Sequence, residues 1–106
     1  MDITVQELKD RIDAGTAPLM IDVREDHEWN MQHLPGAKKI TLGTIPANLS
    51  KLAELKEQEL VMICRSGKRS GKACRYLQQM GFNQVRNLSG GMLAWRDYID
   101  ADFKVR

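Results

Sequence analysis

The chain has 106 residues and a mass of 12.1 kDa, the size of one domain, and we treat residues 1–106 as a single unit. Hydrophobic residues make up 42% and charged residues 28%, a composition that excludes a disordered chain. Sixteen Lys and Arg against 14 Asp and Glu leave a net charge of +2, which argues against a dedicated nucleic-acid-binding domain.

Membrane and secretory classes are also disfavoured. No apolar run approaches the ~20 residues that a membrane-spanning helix requires. The acidic, amphipathic N-terminus has neither the basic region nor the apolar region of a signal peptide. Two cysteines, Cys64 and Cys74, are too few for a disulfide framework, and their spacing is not C-x-x-C. We therefore expect a reduced, cytoplasmic protein without a membrane partner.

Helices and short apolar strands alternate along the chain. Thr4 and Glu7 form a capping box at the start of a helix that Gly15 ends. Apolar runs predict strands at 19–23, 60–63 and 84–88 and a weaker one at 39–42. Further helices are expected at 25–32, from Pro46 to Leu55, at 70–81, and after Ser89, which is suited to cap the last one.

This alternation predicts an α/β fold: a small parallel sheet of four to five strands with helices on both faces. Ligands of such sheets bind beyond the carboxyl ends of the strands. Cys64 directly follows the most apolar predicted strand. The fold class therefore places this cysteine where a binding site is expected.

The segment 63–71, ICRSGKRSG, joins that strand to a helix and carries the clearest chemical signal. A tight loop at a helix N-terminus directs several N–H groups inward, and the helix dipole adds positive potential. Gly67 permits backbone conformations that a side chain would forbid. With Arg65 and Lys68 nearby, the pKa of the Cys64 thiol is expected to fall from ~8.5 to between about 3.5 and 7.5, which makes the sulfur a nucleophile. A purely structural cysteine does not need such cations around it.

Four segments resemble rhodanese-like sulfurtransferases, in the same order and over nearly the whole chain. They are the opening helix capped by Thr4, IDVR at 21–24 with Glu28 and then HLPGA at 33–37, CRSGKRS at 64–70, and NLSGGMLAW at 87–95. The resemblance implies a rhodanese-like fold and transfer of a sulfane sulfur without a cofactor. Thiosulfate or a similar small anion would be the donor, cyanide, a thiol or a protein cysteine the acceptor, and a persulfide on Cys64 the intermediate.

The resemblance also implies roles for the other site residues. Main-chain amides would hold the persulfide, and the side chains of Arg65 and Lys68 would attract the anionic donor. The substrate-binding residues are then Arg65, Ser66, Gly67, Lys68 and Arg69, of which Arg69 is expected also to brace the loop. Structural support is expected from Asp22, Arg24, Ser70 and Trp95, and Trp95 is placed near the pocket as well.

Loop length separates sulfur transfer from its sharpest rival. Tyrosine phosphatases place five residues between their cysteine and an arginine that grips the phosphate. Here four residues separate Cys64 from Arg69, which makes a smaller ring of amides, better matched to one sulfur atom. The geometry therefore argues against a phosphatase or an arsenate reductase. The cationic run 65–75 has no interleaved aromatic residues, so no nucleic-acid partner is predicted.

One alternative shares the same cysteine. A persulfide carrier or docking module, fed by a protein partner, would need Cys64 as much as an enzyme does, and only kinetics would distinguish the two. Cys74 is expected to be a packed free thiol rather than a resolving thiol. His27 and His33 lack the spacing of a metal site, so no metal is predicted.

Overall fold

Five parallel strands form one sheet with helices on both faces, which confirms the predicted α/β class. The computed structural model describes residues 1–106. The strands are β1 (Asp2–Ile3), β2 (Leu19–Asp22), β3 (Lys38–Lys39), β4 (Leu60–Ile63) and β5 (Val85–Leu88), in the order β1-β5-β4-β2-β3 across the sheet. The helices are α1 (Val5–Asp13), α2 (Asp26–Met31), α3 (Leu49–Leu52), α4 (Lys68–Gln79) and α5 (Gly91–Tyr98). None of them is both long enough and apolar enough to span a lipid bilayer.

Two hydrophobic cores lie on opposite faces of the sheet. Successive residues of a strand point to opposite faces, so Met62 of β4 enters one core and Val61 enters the other. The first core is completed by α3 and α4 and includes Cys64, while the second is completed by α1 and α5 and includes Trp95. Because β4 is buried on both faces, its sequence shows a continuous apolar run rather than alternation.

The segment from Pro46 to Leu55 does not form the single helix that its leucines predict. It consists of a 3₁₀ turn at Pro46–Asn48, the one-turn helix α3, and another 3₁₀ turn at Ala53–Leu55. Within it only Leu52 is buried. Since short helices depend on tertiary packing, one buried side chain does not sustain a longer one here.

One predicted strand and one predicted helix cap also differ from the structure. The weak strand expected at 39–42 pairs only over Lys38–Lys39, after which the chain enters a 3₁₀ turn at Leu42–Thr44. The last helix is capped by Gly90, at φ +75°, rather than by Ser89. The Ser89 hydroxyl instead donates to Asp2 Oδ2 at 3.1 Å, and so links β5 to β1, an edge strand too short to be recognised in the sequence.

Candidate active site

Cys64 lies at the carboxyl end of β4, as expected, and is fully buried. Two polar groups are within hydrogen-bonding distance of its sulfur: the Gly67 N–H, which donates to Sγ at 3.0 Å, and the Ser70 hydroxyl, whose Oγ lies 3.2 Å away. Reactive cysteines are commonly part-exposed. Cys64 differs from them in having no exposed surface in this structure.

The loop around the sulfur depends on a glycine at the start of α4. Gly67 has φ +95°, in the left-handed region that favours glycine, and it caps the helix. A Cβ atom at this position would lie 3.3 Å from the Gly90 main-chain nitrogen and 3.4 Å from the Leu88 carbonyl oxygen. Without a side chain, Gly67 can pass close to these two atoms in its left-handed conformation, and its N–H then points back toward Cys64.

The N-terminus of α5 holds the same loop from behind. Its first amides donate to loop carbonyls, from Met92 N to Cys64 O at 2.9 Å and from Leu93 N to Arg65 O at 3.0 Å. Gly91 makes this contact possible, since a Cβ there would lie only 2.4 Å from Cys64 O. The glycine pair of the 87–95 segment therefore holds the cysteine loop in place.

Arg69 turns away from the sulfur and pairs with Glu28 of α2. Its two guanidinium nitrogens donate to the two carboxylate oxygens, each at 2.7 Å. The Arg69 hydrogen bonds, together with the Glu25 N–H that donates at 2.9 Å, lower the pKa of Glu28 to about 2 against the opposing effect of burial. The same contact raises the pKa of Arg69, so the pair stays charged and connects the loop to α2.

A second ion pair lies at the end of β2 and is buried more deeply. Asp22 and Arg24 are each 1% exposed, and Arg24 Nη2 donates to Asp22 Oδ2 at 2.8 Å. Arg24 Nη2 also donates to the Gln32 carbonyl at 2.8 Å, which ties the turn after β2 to the end of α2. These contacts connect the end of β2 to the end of α2, and neither side chain hydrogen-bonds to the Cys64 sulfur.

Four exposed cations near the loop have no carboxylate partner within ion-pairing distance. They are Arg65, Lys68, Lys72 and Arg75, whereas Arg69, Arg24, Arg86 and Arg11 all form ion pairs. A groove of about 450 Å³ between α4 and the β1–β5 edge is lined by Lys68, Lys72 and Arg75 among others. Three cationic side chains and one carboxylate, that of Asp2, line this groove, so this face of α4 carries excess positive charge next to the cysteine loop.

The remaining predicted residues lie farther from the chemistry. Ser66 is exposed on the outer side of the loop. Trp95 is 5% exposed and lies in the core on the opposite face of the sheet, so it does not line the groove beside α4. Cys74 is a buried free thiol, and burial raises its pKa to about 12. Its position on α4 and its protonated state match a packing residue.

Two residues, Glu28 and Asn87, make contacts in the site that the sequence alone does not predict. Glu28 is part of a recognised segment, but its pairing with Arg69 joins residues 41 positions apart. Asn87 Nδ2 donates to the Gly67 carbonyl at 3.0 Å, and Asn87 Oδ1 lies 2.5 Å from Ser70 Oγ. Only the sheet order, which puts β5 beside β4, brings Asn87 to the loop.

Comparison with known proteins agrees with this geometry. A sequence model of the rhodanese-like domain matches residues 4–98. The chain belongs to the rhodanese-like family. It is 44% identical over 94 residues to the Bacillus subtilis protein named "Putative sulfurtransferase YtwF", across 89% of this chain and 88% of the relative. It is 35% identical over 94 residues to a protein named "Sulfurtransferase" from Allochromatium vinosum, across 89% of this chain and 86% of that relative.

Solved rhodanese-like structures have the same fold. The rhodanese-like domain protein from Staphylococcus aureus is 34% identical and superposes with a TM-score of 0.83, over 100% of this chain and 99% of that one. The family, its fold and the names of its relatives together identify a sulfurtransferase. The loop from Cys64 to Ser70 of this rhodanese-like domain offers one sulfur atom, an amide donor, a hydroxyl group and the exposed cations Arg65 and Lys68.

Proposed function

We propose that this protein transfers a sulfane sulfur from thiosulfate, or from a similar small anionic donor, through a persulfide on Cys64. The observation that carries the proposal is the setting of the Cys64 sulfur. It lies at the end of β4, 3.0 Å from the Gly67 amide nitrogen at the start of α4, on a loop with two exposed cations: Lys68, which forms no ion pair, and Arg65, whose Nε donates to the main-chain oxygen of Arg106. Such a site favours a negatively charged sulfur and attracts a negatively charged donor.

The first half-reaction forms one sulfur–sulfur bond and breaks another. The Cys64 thiolate attacks the outer sulfur of thiosulfate, the bond between that sulfur and the sulfonate sulfur breaks with its electron pair, and sulfite leaves. Total charge is unchanged, because a thiolate and a dianion become an anionic persulfide and a dianion. Arg65 and Lys68, which are exposed on the same loop as Cys64, would stabilise the sulfite as it departs.

The second half-reaction returns the thiolate. A thiophilic acceptor attacks the terminal sulfur of the persulfide: cyanide leaves as thiocyanate, and a thiol or protein cysteine leaves as a persulfide. The main-chain amides of residues 65–69 would hold the terminal sulfur while it is carried. Both cysteines are free thiols, which fits a protein at work in a reducing compartment such as the cytoplasm.

A persulfide carrier that exchanges sulfur only with a protein partner is the second candidate. The feature that favours it is the groove of about 450 Å³ beside α4, which is larger than a small donor needs and is flanked by unpaired cations. A carrier would use this face to bind an acidic partner surface. Turnover with thiosulfate distinguishes the two, because an enzyme saturates with the small donor while a carrier does not use it.

Intact-protein mass spectrometry tests the proposal directly. Incubation with thiosulfate is expected to add the mass of one sulfur atom, and cyanide is expected to remove it. Cys64→Ser should abolish both changes, whereas Cys74→Ser, the matched control, should leave both intact. An adduct that survives in Cys64→Ser would contradict the assignment and move the chemistry to Cys74.

A further inference from the structure

Asn87 lies behind the sulfur site and contacts both residues whose polar groups surround the sulfur. From β5, its Nδ2 donates to the Gly67 carbonyl at 3.0 Å, and its Oδ1 lies 2.5 Å from Ser70 Oγ. Gly67 N and Ser70 Oγ lie 3.0 and 3.2 Å from Cys64 Sγ. Asn87 makes no hydrogen bond to the sulfur itself, so any effect it has on Cys64 passes through these two residues.

The contact with Gly67 fixes which way the Asn87 amide faces. A carbonyl oxygen accepts only from a donor, so the NH₂ group of Asn87 faces Gly67 and its oxygen faces Ser70. A serine hydroxyl has a single hydrogen, and two oxygens 2.5 Å apart repel unless that hydrogen lies between them. The Ser70 hydroxyl therefore donates to Asn87 and presents a lone pair to Cys64.

The hydrogen bond from Ser70 to Asn87 leaves only a lone pair facing the sulfur, and this suits a protonated Cys64 thiol better than a thiolate. A thiol can donate to the lone pair of Ser70 Oγ, but a thiolate needs donors. Ser70 can supply one only by turning its hydrogen away from Asn87, which leaves the Asn87 oxygen without that donor. The Gly67 N–H, in contrast, donates to the sulfur in either state.

We propose that Asn87 is a positioning residue that controls the direction of the Ser70 hydrogen bond and thereby opposes ionisation of Cys64. The proposal rests on the proposed function in that it makes Cys64 the sulfur whose charge matters. Once the sulfur is carried as a persulfide, Sγ is uncharged and no longer needs the Ser70 hydrogen. Asn87 thus favours the sulfur-loaded site over the empty thiolate.

The charged and titratable groups around Cys64 come from several elements and are separate from this network. They are Arg69 paired with Glu28, Asp22 paired with Arg24 on the neighbouring strand, the exposed cations Arg65, Lys68, Lys72 and Arg75, the buried thiol of Cys74, and, in the groove that Asn87 also lines, Asp2 and the Met1 amino group. None of them hydrogen-bonds to Asn87 or Ser70. Substitution of Asn87 by a neutral residue therefore leaves the surrounding charges in place.

The test is the pH dependence of alkylation at Cys64, followed by peptide mass spectrometry, in a double-mutant cycle. Asn87→Leu frees the Ser70 hydrogen for the sulfur, and we expect the alkylation midpoint to fall by about one pH unit, the size of one hydrogen bond to a charged group. In a Ser70→Ala background, where no hydroxyl exists, the same substitution should leave the midpoint unchanged. Asn87→Asp keeps an acceptor facing Ser70 and adds negative charge, so it should raise the midpoint.

Two results would overturn the proposal: an unchanged midpoint in Asn87→Leu, or the same shift in both backgrounds. If Asn87→Leu does not fold, Asn87→Asp decides, and a midpoint that stays or falls contradicts the proposal. Failure of the proposed function would give a different result. Cys64 would gain no sulfur from thiosulfate, while its alkylation midpoint would still shift in the Asn87 variants.

Discussion

Two neighbouring strands of the sheet end in the same local structure and use it differently. β4 enters α4 through Gly67 at φ +95°, and β5 enters α5 through Gly90 at φ +75°. In the first turn, an amide donates to the sulfur of Cys64. In the second, the amides of Met92 and Leu93 donate to the main-chain carbonyls of the cysteine loop.

The comparison shows that a glycine-capped helix start is not in itself a reactive site. Both turns offer free N–H groups and the positive end of a helix dipole. The α4 turn is the candidate reactive site because a sulfur faces one of its amides, whereas the amides of the α5 turn donate to the carbonyls of that loop. Function here follows from what each set of donors faces, and one turn depends on the other.

The largest expected effect comes from breaking the second turn. In Gly91→Ala, the new Cβ would lie 2.4 Å from Cys64 O and 2.6 Å from Arg65 O, at a φ of +57°. We expect a loss of about 3 kcal/mol in unfolding free energy, measured by urea denaturation, and a large loss of sulfur transfer. Gly15→Ala is the control, because Gly15 also has positive φ, +74°, but open space around it, so about 1 kcal/mol is expected. Equal losses in the two variants would show that the close contact between Gly91 and the carbonyls of Cys64 and Arg65 is unimportant.

The positive charges beside the first turn can be removed without changing the sulfur. Arg65→Ala combined with Lys68→Ala is expected to raise KM for thiosulfate about tenfold at low salt, with less effect on kcat and little on thermal stability. The difference from the unsubstituted protein should shrink as ionic strength rises. Lys9→Ala combined with Arg96→Ala removes the same charge from α1 and α5 on the opposite face. Equal KM values for the two double variants would contradict a local role.

The pairing of Glu28 with Arg69 gives a pH-dependent comparison. The pKa of Glu28 is lowered from its ordinary 4.5 to about 2, so its stabilising effect is complete above pH 4.5 and is lost as the pH falls toward 2. Unfolding free energies of the unsubstituted protein and Glu28→Gln should differ most near neutral pH, by at most about 3 kcal/mol because Arg69 is part-exposed, and should converge in acid. Asp26→Asn, which removes an exposed carboxylate paired with Lys39, should change stability much less than Glu28→Gln does. A difference for Glu28→Gln that persists at pH 2 would refute the assignment.

The smallest effect is expected at Cys74. Burial raises the pKa of its thiol to about 12, so the folded protein should not be alkylated there between pH 7 and 9, conditions under which Cys64 is expected to react. Cys74→Ala should leave turnover within about twofold, since the side chain contributes packing alone. Alkylation of Cys74 at a rate like that of Cys64 would remove the contrast between the two thiols.

The fold class was predictable because its signals are local. Apolar runs and capping residues mark β2, β4, β5 and most helices, whereas β1 is two residues long and is defined only by its pairing with β5. The helix predicted from Pro46 to Leu55 is wrong because spacing alone does not show how little of that segment is buried.

The candidate site was predictable only along the loop. Spacing put Gly67 near Cys64, a contact across three residues. Glu28 reaches Arg69 across 41 residues, and Asn87 reaches Ser70 across 17, so both contacts depend on which strands are neighbours. A single sequence does not supply that order, and Trp95, although part of a recognised segment, faces the other core for the same reason.

The place of β5 between β4 and β1 has a consequence for synthesis of the chain. β1 has no other partner in the sheet, and α1 packs against α5, so these two elements can complete their packing only after the last quarter of the domain has been synthesised. The carbonyls of Cys64 and Arg65 likewise lack their amide donors until α5 has left the exit tunnel. The cysteine loop of a nascent polypeptide is therefore expected to lack its final support until α5 has emerged and folded against it.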